Sequence, residues 1–207
     1  MLKRTFYLLT FFFLSFNAGA QINIYMGGNL QGNYSWIRGD GHSLEPGFGG
    51  GFSFVYWEYE YWFLKAGIDY IYKSSSCMHY AEDYGIPIND PNDKVNITFS
   101  EQNIGIPLTI YFRPYESGAN TLLITGSLSM MLATHLKENT EEYGELILTG
   151  TDVKTRTKTN LGIGVGYQRQ LDEHMFLNIV PSYNVDIRAA RAFNSISLTA
   201  ELIFGVY

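Results

Sequence analysis

The chain has 207 residues and a formal net charge of −6, with 16 Tyr, 14 Phe and 21 Gly but only 16% charged residues. An acidic balance offers no electrostatic footprint for nucleic acid, and so few charges among so many aromatics is unusual for a soluble enzyme. The single Cys77 excludes an intramolecular disulfide and any CxxC metal site.

Residues 1–20 read as a secretion signal. Lys3 and Arg4 form a charged n-region, residues 6–16 an apolar h-region, and Ala18, Gly19 and Ala20 a small-residue cleavage site. The apolar run is shorter than the ~20 residues of a membrane-spanning helix. Cleavage after Ala20 leaves Gln21 as the mature N-terminus and no Cys for a lipid anchor. Loss of the two leader cations takes the net charge to −8. Residues 21–207 suit one domain.

The mature chain alternates from its start. In residues 22–36, Ile24, Met26, Leu30, Tyr34 and Trp36 oppose Asn23, Asn29, Gln31, Asn33 and Ser35. After a turn-rich segment at 37–46, residues 47–56 set Phe48, Phe52, Phe54 and Tyr56 against Gly and Ser. A short link leads to residues 61–72, where Trp62, Leu64, Ala66, Ile68, Tyr70 and Tyr72 oppose Lys65, Gly67 and Asp69. A polar loop is predicted at 73–94. Residues 95–113 follow, and their apolar parity moves from Val95, Ile97 and Phe99 to Ile104, Ile106, Leu108, Ile110 and Phe112. One face keeps its parity unless a residue is inserted, so a β-bulge is predicted at Glu101–Asn103, with Pro107 facing inward at a weakened ladder position.

Residues 121–136 carry the clearest signal. Leu122, Ile124, Leu128, Met130 and Leu132 line one face, and Thr125, Ser127 and Ser129 the other. This is the period of two of a strand, and at ~3.3 Å per residue it is long enough to cross a bilayer at a tilt. An acidic loop at 137–153 follows, whose piece at 145–148 could extend the strands. Residues 154–170 then set Leu161, Ile163, Val165 and Tyr167 against glycines and Asn160. Beyond a turn at 171–174, residues 175–188 oppose Met175, Leu177, Ile179, Tyr183 and Val185 to Asn178, Ser182, Asn184 and Asp186. Residues 195–207 close the chain with Ile196, Leu198, Ala200, Leu202, Phe204 and Val206 on one face.

Eight strands with alternating long and short connections predict an all-β fold, an eight-stranded antiparallel up-and-down transmembrane β-barrel with both termini on the periplasmic side. Aromatics near the short turns (Tyr56, Trp57, Tyr59, Tyr61, Trp62, Tyr111, Phe112, Tyr115, Tyr167, Phe176, Phe204, Tyr207) predict one membrane girdle. Tyr34, Trp36, Tyr70, Tyr72 and Tyr183 predict the other. A secreted lipocalin-like ligand carrier also has eight strands, but its outer face would carry many Lys and Glu. Here the less apolar face is Gly, Ser, Asn and Thr, which suits a narrow interior.

The stretches AGAQ, NIGIPLTIYFRP, NLGIGVGYQ and ISLTAELIFGVY resemble the PorT-type outer-membrane β-barrel family, and the resemblance covers the whole mature chain. It implies an eight-stranded, OmpA-like barrel in the outer membrane. The closing Tyr207 resembles the terminal signal read by barrel-insertion machinery. Some members are linked to protein secretion, and that role is not carried over.

Seven charged residues share the inferred inward parity: Lys65, Asp69, Arg156, Lys158, Asp186, Arg188 and Glu201. Buried polar groups must be paired, so they are expected to form a polar network that fills the lumen. A selective pore is the alternative. His42, His79, His135 and His174 show no metal-ligand spacing, so no metal, cofactor or catalytic residue is expected. Cys77 reads as an incidental loop thiol. A lipid-modifying enzyme would need a Ser/His pair near the rim, but Ser129 and His135 are separated by about 20 Å of strand. The expected role is therefore structural or surface interaction, without catalysis. Expected partners are outer-membrane lipids, the insertion machinery and, through the acidic loops, envelope proteins or surface ligands. The tripeptide Arg38, Gly39, Asp40 matches a cell-adhesion motif, a weak signal in a Gly-rich loop.

Overall fold

In a computed structural model the described residues are 24–38, 42–57, 60–80, 94–140, 144–145, 156–187 and 192–206, without the side chains of 42, 136, 138, 140, 144, 145, 156 and 206. The expected signal segment, Tyr207 and most of the expected loops lie outside them. The strands are β1 (Ile24–Ile37), β2 (His42–Tyr56), β3 (Trp62–Tyr80), β4 (Lys94–Ser117), β5 (Asn120–Thr140), the two-residue β6 (Gly144–Glu145), β7 (Arg156–Asp172), β8 (Met175–Ile187) and β9 (Phe193–Val206). Eight of them form an antiparallel ring in chain order, closed where β1 pairs with β9 from Ile24↔Val206 to Ile37↔Phe193. The ninth, β6, pairs only with the end of β5.

Ring closure gives each strand one lumen face and one outer face. The outer face is apolar: Leu30, Phe52, Ile68, Ile106, Met130, Ile163 and Leu198 are all exposed. On β3 this belt runs from Trp62 to Tyr72, about 33 Å of strand and about 25 Å of height at the usual ~40° tilt. That height matches the apolar band of barrels that sit in a bilayer. At its loop-side margin Phe48 stacks on Tyr72 at 5.5 Å, and Trp36 meets Tyr183 at 6.2 Å. Beyond Tyr72, β3 continues through Tyr80 and pairs with the first part of β4. The loop predicted at 73–94 is therefore strand up to Tyr80, because its Ser and Cys side chains find partners in the ring's upper rim.

The parity change predicted in β4 does not occur. Ile97, Phe99, Glu101, Asn103, Gly105, Pro107, Thr109 and Tyr111 all face inward, and Ile104 to Phe112 present even positions outward. What changes is the environment: the lumen is apolar at its loop end and polar below. A register shift does fall at Gln102/Asn103, but the extra residue is Thr134 on the partner strand β5. Pro107 faces the lumen, and the β3–β4 ladder is interrupted between Ala66↔Leu108 and Asp69↔Gly105. Pro181 lies beside the matching gap between β7 and β8. Pro46 and Pro114 lie at the shifts Leu44/Phe48 and Phe112/Tyr115. Each proline in a described strand thus sits where the ladder has already lost a hydrogen bond.

The turn-side girdle also needs correction. Tyr111 and Phe176 are buried inside the ring, with Trp57 packed against them. Odd parity on β4 and even parity on β8 point these rings inward, where they close the lumen from below. Cys77 is likewise no loop thiol: it is a buried residue of β3 facing the upper lumen.

Leu128 on β5 is exposed on the outer face between Leu108 and Leu161. Leu128→Arg is expected to cost about 2–4 kcal/mol at a lipid-facing midplane position, read as a lower urea midpoint for unfolding from vesicles. An unchanged midpoint would place Leu128 away from lipid.

Candidate functional site

The one place where chemistry-bearing side chains converge among the described residues is the lumen. Its bottom is an apolar layer of Val55, Phe63, Tyr111, Leu123, Phe176, Val180 and Ile203. Phe63 stacks on Tyr111 at 4.5 Å and on Trp57 at 4.8 Å. The Arg113 guanidinium lies 4.6 Å from the Trp57 ring centre and pairs with Glu116 at 2.7 Å.

Directly above, the Glu201 carboxylate is almost fully buried and accepts from four donors. Lys65 Nζ reaches Oε1 at 2.8 Å and Ser53 Oγ at 3.2 Å; Tyr111 Oη reaches Oε2 at 3.0 Å and Asn178 Nδ2 at 3.1 Å. Gln168 Nε2 donates to Asn178 Oδ1 at 2.9 Å, fixing that amide's orientation. A carboxylate taken out of water is tolerated only when its lone pairs are filled in this way.

A second charged cluster lies toward the loop end. Asp186 Oδ1 accepts from Lys73 Nζ at 2.8 Å and Asn160 Nδ2 at 2.9 Å. Lys158 Nζ pairs with Glu101 and lies 3.7 Å from Asp186 Oδ2. Two ammonium groups and two carboxylates balance, all nearly inaccessible to solvent. An apolar layer of Ile37, Cys77, Ile97, Phe99 and Phe193 closes the lumen above them, with the Lys158 ammonium 5.3 Å from the Phe193 ring centre.

Between the two clusters is a cavity of about 90 Å³, lined by Lys65, Asp69 and Lys73, by hydroxyl and amide side chains, and by the apolar Ile71, Pro107, Met131 and Val180. Asp69 is half-buried and accepts from Asn29 Nδ2 at 3.0 Å.

Of the seven residues expected in a lumen network, the structure places Lys65, Asp69, Lys158, Asp186 and Glu201 on the inner face. It brings Lys65 together with Glu201 and Lys158 together with Asp186. The side chain of Arg156 and all of Arg188 lie outside the described residues. Lys73, Glu101 and Tyr111 join the network without having been expected there. Parity was the available signal: Lys73 continues the odd series of Lys65 and Asp69, and Glu101 that of Asn103 and Thr109.

Ser129 is buried facing the lumen, whereas His135 is exposed near the rim, so the structure does not bring these two residues together. Among the described residues, no group of three or more His, Cys, Asp and Glu side chains comes together as metal ligands.

Lys65→Met leaves the Glu201 carboxylate buried without its cation and is expected to cost about 3–5 kcal/mol. The double variant Lys65→Met/Glu201→Leu should cost clearly less than the sum of its single changes, measured as a double-mutant cycle on urea unfolding. Additive costs would show that the pair is not coupled.

No protein-family model and no curated protein matches this sequence. Solved structures do. Neisserial surface protein A, NspA, superposes with a TM-score of 0.54 at 15% identity, covering 88% of this chain and 97% of that one. Ail, the attachment invasion locus protein of Yersinia pestis, gives 0.42 at 15% identity over 87% and 98%. The N-terminal barrel domain of Pseudomonas aeruginosa OprF gives 0.37 at 10% identity over 86% and 97%. The likeness to NspA is one of fold: this chain is an eight-stranded antiparallel ring of the outer-membrane β-barrel type.

Proposed function

We propose that this protein is a small outer-membrane β-barrel with a structural or surface-interaction role, inserted after removal of a signal peptide at residues 1–20 and held with both termini in the periplasm. The observation that carries this reading is the inverted distribution of polarity. Leu30 and Phe52 are about three-quarters or more exposed, at 75% and 81%, while Lys65, Lys73, Lys158, Glu101, Asp186 and Glu201 are buried inside. In water this arrangement would expose a continuous apolar belt, far beyond the few hundred Å² that soluble proteins tolerate. In a bilayer both faces are satisfied.

Buried ion pairs cross the lumen and leave only a cavity of about 90 Å³ between them, which favours a role in holding the wall rigid over one in conduction. β3, β4 and β5 extend beyond the belt, and the acidic stretches that the sequence places between the strands are the segments offered to envelope proteins or surface ligands. Outer-membrane lipids and the barrel-insertion machinery are the remaining partners in this reading. Affiliation with PorT-type barrels rests on the strand patterns around Pro107, Gly164 and the chain's closing strand, and brings no secretion role with it.

Membrane fractionation followed by gel mobility with and without boiling tests the proposal. Recovery in the outer-membrane fraction with a boiling-dependent shift is expected. A soluble periplasmic protein without a shift would overturn it.

A further inference from the structure

We propose that the outer wall over β1, β2 and β9 is the contact face of a symmetric dimer, on which a second copy of this chain docks inside the membrane. The proposal rests on the membrane reading of the outer belt. Shape is the first reason. Leu30 is 75% exposed, and its nearest neighbours on that face are all small. Gly28 and Gly32 flank it along β1, and Gly50 and Ala200 pair with it from either side. Leu30 is therefore a knob standing in a hollow. That hollow measures about 700 Å³ and is bounded by Phe52, Ile68, Tyr70 and Leu202.

The glycines are the second reason. Glycine inside a strand weakens it, and marks a bulge, a bend or a place where another group comes close. β1 pairs with both neighbours without a register shift, and neither Gly28 nor Gly32 has a positive φ. A Cβ on Gly32 would meet nothing within 4 Å, and one on Gly28 only a backbone oxygen at 4.0 Å. The described fold thus gives no reason for glycine at either position. Close approach from outside the barrel does.

The same face supplies the occupant. Fluid acyl chains cover knobs and hollows alike, so lipid needs no glycine there. Association of protein surfaces in lipid depends instead on close packing, for which small residues are the usual device. Two barrels with one orientation in one membrane are related by a two-fold axis along its normal, and the same patch then serves both copies. With hollows on every side of Leu30, each copy seats its Leu30 beside the other's. The area suffices. Tyr34, Phe48, Phe52, Ile68 and Leu198 lie around Leu30 and are each more than half exposed. At about 200 Å² for a whole large side chain, these side chains together expose about 800 Å², which is what each partner gives to a standard interface.

The test uses the full mature chain. In micelles matched to the solvent density, sedimentation equilibrium should give a dimer for the wild type. Gly28→Leu and Gly32→Leu fill the hollow and should raise the dissociation constant about tenfold or more, each keeping the boiling-dependent gel shift of a folded barrel. Gly126→Leu, on the outer face of β5 across the ring, should leave it unchanged. In vesicles under mild oxidation, Leu30→Cys should give a disulfide-linked dimer and Met130→Cys on β5 should not, a readout that needs no bulky substitution. A monomeric wild type that shows the gel shift, a dimer unaffected by both hollow-filling variants, or equal cross-linking from Leu30→Cys and Met130→Cys would each overturn the proposal. So would a monomer that carries a bound lipid in native mass spectrometry. A soluble protein with no gel shift would overturn the membrane reading and this proposal with it.

Discussion

Closure of the hydrogen-bonded ring is the constraint on which everything else rests. A sheet that crosses a water-free layer can leave no edge, because unpaired N–H and C=O groups have nowhere to turn. With β1 paired to β9, all eight long strands have neighbours on both sides. The four prolines within the described strands show how strictly the rule is kept: each falls at a bulge or a ladder gap. Closure at eight strands also makes the interior narrow, so whatever points inward must fit and must satisfy its neighbours.

The interior solves that problem in layers. Apolar side chains close both ends, charged clusters lie next to them, and hydroxyl and amide groups line the middle. Fully buried ion pairs add little stability when compared with apolar packing, yet removing one partner is severe. Their role is therefore better understood as specifying which strands face each other. Glu201 on β9 gathers donors from β2, β3, β4 and β8. Asp186 on β8 gathers them from β3 and β7. A strand shifted by one residue would turn these groups into the outer belt.

Strand identity and face were legible because a period of two is a local property. The alternation at residues 121–136 assigned Leu128 outward and Ser129 inward, as the structure has them. Misreadings came where the environment of a face changes along its length. Val95, Ile97 and Phe99 are apolar because the upper lumen is apolar, so a change of environment resembled a change of parity, and the extra residue lay in β5 at Thr134 instead. Tyr111 and Phe176 looked like girdle residues because a ring near a turn can serve either side of the wall. Lys73 looked like loop because Lys-Ser-Ser-Ser carries no strand propensity. It is strand only because β4 continues alongside it.

The sequence by itself determined the number of long strands, the side of the wall to which most of their residues point, and hence the inverted distribution of polarity. These follow from backbone geometry acting over a few residues. Which charges meet was decided only by tertiary structure. Lys65 and Glu201 are 136 positions apart and Lys73 and Asp186 are 113 apart, and no local pattern carries that pairing. It depends on the stagger with which eight strands close, and that stagger exists only in the completed ring.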